Sequence, residues 1–110
     1  MTARKRWIAG TLEPKGVIVI DDGARVALQS GRSLLPAGVV SVSGQFERGE
    51  AVIIRDVSGC EIGRGLIGYN AEETAQIAGR NSMEIAGVLG YAGRAALIHR
   101  DDMALLRDLG

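Results

Sequence analysis

Chemistry-bearing residues in this 110-residue chain gather in two short clusters: Asp21-Asp22-Gly23-Ala24-Arg25 near the start and His99-Arg100-Asp101-Asp102 near the end. Paired carboxylates can exchange protons or help hold a metal, and a histidine beside them can serve as a base. A strand, a glycine turn and a helix is also the geometry that cradles phosphates. The spacing argues against each chemistry. A dinucleotide site needs G-x-G-x-x-G and a P-loop needs G-x-x-x-x-G-K-[ST], whereas this turn has one glycine beside two aspartates that repel phosphate. His-Arg-Asp marks a kinase catalytic loop only alongside a glycine-rich loop, a strand lysine and Asp-Phe-Gly, none of which occurs here. The single histidine and the single cysteine, Cys60, are too far apart in sequence to read as a ligand pair. The acid pairs Asp21/Asp22, Glu72/Glu73 and Asp101/Asp102 read as helix caps or solvated turns. The expectation is a chain with no catalytic, cofactor-binding or metal-binding residue.

Composition narrows the partners. Thirteen basic and thirteen acidic residues cancel, so no global field draws the chain to nucleic acid or an anionic membrane. Eleven of the basic residues are arginine, the side chain suited to bidentate contacts with carboxylate or phosphate. With aromatics at 4%, a base-stacking platform is not expected. No apolar run approaches the ~20 residues of a membrane span, and no leader-like stretch follows the basic residues of "MTARKRWIAG". Cys60, in the turn-like "VSGCEIG", reads as a surface thiol of a reducing compartment. These features together predict a cytoplasmic protein without a membrane partner.

The elements that must position the two clusters follow from periodicity. Residues 2–9 suggest a helical turn or two anchored by Trp7 and Ile8. "VIVI" (17–20) is an unbroken β-branched run, expected as a strand buried on both faces. Asp21 or Asp22 then caps a helix that Gly31 stops. Residues 38–44, 50–56 and 61–69 read as short strands separated by turn-rich segments, with Val17–Ile20, Val39–Val42 and Val52–Ile54 supplying core strands. Asn70 and Glu73 have capping-box spacing and open a helix over about 71–79. A second helix runs from Asn81 or Ser82 to Leu89, and "AALIHRDDMALL" returns as one or two strands. The order of elements and the sixteen glycines favour an α+β fold, a small mixed β pseudo-barrel with short flanking helices.

One combination of residues is specific. The strand before Asp21-Asp22-Gly23-Ala24, the link Gly31-x-Ser33-Leu34-Leu35, Gly38-Val39, Phe46-x-Arg48-Gly49-Glu50 and Arg64-Gly65-Leu66 resemble, in order and spacing, the PUA domain. Ile77-Ala78-Gly79, Ser82-x-Glu84-Ile85, Leu89-Gly90-Tyr91 and His99-Arg100-Asp101-Asp102-Met103 extend the likeness. With them, nearly the whole chain is similar to the C-terminal portion of the bacterial glutamate 5-kinase (gamma-glutamyl kinase) family. That resemblance implies a PUA-like domain over 16–110 and an extension over 1–15 that links it to an amino-acid-kinase domain before residue 1, with Met1 an expression start. ATP, magnesium and glutamate would bind to that other domain, in an oligomeric parent enzyme acting in proline biosynthesis. This chain would be a non-catalytic regulatory or assembly module packed on the kinase domain. RNA-binding PUA relatives imply an alternative, an RNA-binding module. Carried over by position, the RNA or interdomain face would comprise Gly23, Arg25, Arg32, His99 and Arg100. Gly23 would allow close backbone approach and the arginines would hold phosphates. With zero net charge, any RNA affinity is expected to be weak.

Overall fold

A computed structural model of the chain describes Ile8 and residues 13–106. The helical turn expected over 2–9 lies outside these residues except for Ile8, which is helical and fully buried. Five strands form one mixed sheet: β1 (Gly16–Ile20), β2 (Val39–Gly44), β3 (Ala51–Asp56), β4 (Glu61–Leu66) and β5 (Met103–Leu105). Their order across the sheet is β2-β1-β3-β4-β5, antiparallel throughout except for the β1–β3 pair. Parallel neighbours cannot be joined by a tight turn. Here the chain between them makes α1 (Asp22–Gln29) and then β2 before returning as β3. Two further helices, α2 (Ala71–Ile77) and α3 (Ile85–Leu89), lie between β4 and β5 in sequence. The fold is α+β, as the order of elements predicts.

Local signals act where they were read. Asp21 is the N-cap of α1, its carboxylate accepting from the Ala24 N–H at 2.7 Å. Asn70 and Glu73 form the full capping box of α2: Asn70 Oδ1 accepts from Glu73 N at 2.8 Å, and Glu73 Oε1 accepts from Asn70 N at 3.2 Å. The core is a cluster of buried aliphatic residues around Ile18, Ile20, Val52 and Ile54, joined by Leu28 from α1 and Ile77 from α2.

The strands depart from expectation in four places. β1 is fully buried on one face only: Ile18 and Ile20 are covered, whereas Val17 and Val19 are half-buried. A continuous β-branched run does not distinguish these cases. Of the expected core stretch Val39–Val42, only Val39 is buried and Val40 is 56% exposed, because β2 is an edge strand. β4 stops at Leu66: Ile67 N still donates to Glu50 O beside β3, but Gly68 N turns to Leu97 O. The closing segment is broken rather than continuous. Ile98 forms a lone bridge with Leu34, residues 100–102 make a 3-10 turn, and β5 is three residues long. The helix expected over 71–79 ends at Ile77, and the one expected to run to Leu89 begins as a 3-10 turn at Ser82–Glu84.

Candidate functional site

A cleft of about 460 Å³ opens between the start of α1 and residues 32–38. Its position follows from the cap. Asp21 not only caps α1 but donates its own N–H to Gly38 O at 2.9 Å, which ties the helix start to the 3-10 turn Pro36–Gly38. That turn lies so close to the helix that a Cβ on Gly38 would stand 2.5 Å from the Ala24 Cβ. Glycine is required there by steric contact. Downstream, Leu34 exchanges backbone hydrogen bonds with Leu97 and Ile98, and Ser33 Oγ accepts the Arg100 N–H at 2.9 Å. The segment 32–35 is therefore held between α1 and the chain that leads into β5. Ala24, Ala27, Leu35 and Ala37 supply apolar wall, and Asp21, Arg32 and Ser33 supply the polar side chains.

The five residues assigned to a binding face do not all share this cleft. Gly23 and Arg32 line it. Arg100 and His99 adjoin its rim through the Ser33 bond. His99 Nδ1 accepts from the Asp101 N–H at 3.1 Å, so the imidazole caps the 3-10 turn. Arg25 does not line the cleft; its guanidinium lies 3.7 Å from Asp22 and close enough to Asp56 to help lower that carboxyl's pKa. Side chains one residue apart on a helix point about 100° apart, so Ala24 and Arg25 cannot both face the cleft. Nor does Gly23 meet the chain's own backbone: a Cβ there would find only Asp21 Oδ1, at an ordinary 3.5 Å. Ser33 joins the cleft although little in the sequence marks it as a site residue. Its partner is 67 positions away, and the only local sign is one small polar residue before two leucines.

Other polar groups are absorbed by structure. Asp56 accepts from Ser58 N, Ser58 Oγ and Cys60 N within the β3–β4 turn, and the Ser58 hydroxyl chiefly holds its carboxyl below the usual range. Cys60 is exposed in that turn, as its surroundings predict. Tyr69 is fully buried, donates its hydroxyl to Arg94 O and has its pKa raised, mainly by burial. Tyr91 donates to Glu73, which raises the tyrosine pKa. Among the described residues no group of three or more His, Cys, Asp or Glu side chains could hold a metal ion. No described helix is long and apolar enough to cross a membrane.

The glutamate 5-kinase of Sinorhizobium fredii is 58% identical over 110 residues, all of this chain. That of a Bradyrhizobium strain is 57% identical over 105 residues, 96% of the chain. The chain spans only 28% of the length of each. Among solved structures, a PUA domain from Aeropyrum pernix, determined as a tartrate complex, superposes with a TM-score of 0.57 at 26% identity. The match covers 77% of this chain and 41% of that one. The sequence profile described as the PUA domain matches residues 16–89, from the first residue of β1 to the last of α3, and the chain belongs to that family.

Proposed function

We propose that this chain is the C-terminal PUA domain of a glutamate 5-kinase, and that it acts without catalytic chemistry of its own. The observation that carries the reading is the 58% identity with the Sinorhizobium fredii enzyme across all 110 residues. In this proposal the parent phosphorylates L-glutamate at the start of proline biosynthesis. ATP and magnesium belong to the kinase domain of the same polypeptide, which residues 1–15 connect to the PUA fold. The regulatory part of this reading draws on the open cleft beside α1, a concave surface held in place by the Asp21 cap and the Pro36–Gly38 turn. Its role is to modulate activity, feedback control or assembly of an oligomeric, cytoplasmic enzyme. RNA contact is a secondary and weak property, since a net charge of zero gives no global field to draw in a polyanion.

The test compares the parent enzyme with and without this segment. Purified residues 1–110 are expected to show no glutamate-dependent ATP turnover above a no-protein control. The truncated parent should keep turnover but change its proline response or its oligomeric state. Turnover by the isolated chain would overturn the reading, as would a truncated enzyme unchanged in both properties.

A further inference from the structure

We propose that the cleft between α1 and residues 32–38 binds a small organic carboxylate, with Arg32 and Ser33 as the recognising groups. The inference deepens the accessory-domain reading and rests on it for its biological meaning. The chemistry, however, comes from the cleft. A volume of about 460 Å³, apolar walls and a few polar groups is the make-up of a small-ligand site.

Two of those polar groups keep donors in reserve. Arg32 has no ion-pair or hydrogen-bond partner for its guanidinium among the described residues. Ser33 Oγ accepts from Arg100 N, which leaves the hydroxyl proton free to be donated. The one carboxylate lining the cleft, Asp21, already accepts a hydrogen bond at the helix cap. A guanidinium fork and a hydroxyl donor match the two oxygens of a carboxylate.

Gly23 supplies an independent sign. Glycine in the first turn of α1 weakens the helix, yet neither φ nor a neighbouring backbone requires it. Its missing side chain leaves more room in the cleft that Arg32 also lines. The charges nearby set the ligand class. Arg25 is turned away and paired with Asp22. One uncommitted cation inside the cleft suits a compact anion; a nucleic-acid backbone needs several.

The proposal is tested by titrating the isotope-labelled chain with L-glutamate and with succinate at constant ionic strength, following backbone amide resonances. Saturable shifts are expected at Gly23, Arg32, Ser33 and Gly38, with succinamide giving none. Arg32→Ala should weaken binding about tenfold or more. Arg25→Ala, on the other side of the helix, should leave it unchanged. Unaltered resonances in the β1–β3 core establish that both variants fold. Shifts no larger than those from sodium chloride, or equal shifts with succinamide, would overturn the proposal. So would tighter binding of inorganic phosphate, which would make the cleft a general anion site. Saturation of the same amides by a single-stranded RNA oligonucleotide at lower concentration would overturn it in favour of a nucleic-acid interface. None of these outcomes depends on kinase turnover, so the accessory-domain reading stands or falls separately.

Discussion

The cleft beside α1 and the end of the domain around Tyr69 are built from similar materials and behave in opposite ways. Around Tyr69 the hydroxyls are committed: Tyr69 to Arg94 O, Tyr91 to Glu73, and the second oxygen of Glu73 to the cap of α2. Gly93 is demanded there, because a Cβ at that position would collide with the Tyr69 hydroxyl. In the cleft, the Arg32 guanidinium has no ion-pair or hydrogen-bond partner among the described residues, and none of those residues demands a glycine at Gly23. The difference separates architecture from readiness to bind. A polar group already satisfied inside the fold contributes stability, and breaking it exposes an unpaired partner. A group left open in a concave site contributes little to stability and is available to a ligand.

That contrast breaks first, if it breaks, at Tyr69. Tyr69→Ala should cost about 3–5 kcal/mol, the range for deleting a large buried ring, and leaves Arg94 O without its donor. Urea unfolding that shows a loss below ~1 kcal/mol would mean the ring is not packed as described. The paired glycines give the next largest effect, with opposite signs. Gly93→Ala should destabilise by roughly 1–3 kcal/mol through overpacking. Gly23→Ala should stabilise by about 0.5–1 kcal/mol through helix propensity while narrowing the cleft. Equal effects at the two sites would erase the distinction between them.

The smallest effect is a titration. Burial raises the Tyr69 pKa and acceptance by Glu73 raises that of Tyr91, both above the ordinary value of about 10. A folded pKa above the unfolded one means the contribution is fully present below pH 10 and is lost as pH rises through the folded values. Ultraviolet absorbance of phenolate should therefore appear later in the folded chain than in the urea-unfolded one. The chain has only two tyrosines, so the signal belongs to this region alone. Coincident curves would show that the two hydroxyls are not held.

Much of the architecture is legible because its causes are local. The β-branched run of β1, the Asp21 cap and the Asn70/Glu73 box each involve backbone groups within about four residues, where spacing alone sets the geometry. Burial was less legible. Val40 and Ile54 are both apolar residues in β-branched stretches, but β2 lies at the edge of the sheet and β3 inside it, and strand order is not a local property. Which arginine reaches the cleft is likewise not a local property. Arg25 and Arg32 look equivalent along the chain, yet helix geometry turns one to Asp22 and the turn after α1 leaves the other in the cleft.

By itself, then, the sequence determined the α+β class, the helix starts and the tightly spaced caps, since these depend on contacts a few residues apart. Tertiary structure alone decided that Ser33 meets Arg100, 67 positions away, that Gly93 seats against Tyr69, and that Gly38 docks on Ala24 to form one wall of a cleft. Such contacts arise only when the sheet order and the path of the connecting segments bring distant backbone into reach. Neither composition nor periodicity encodes that reach residue by residue.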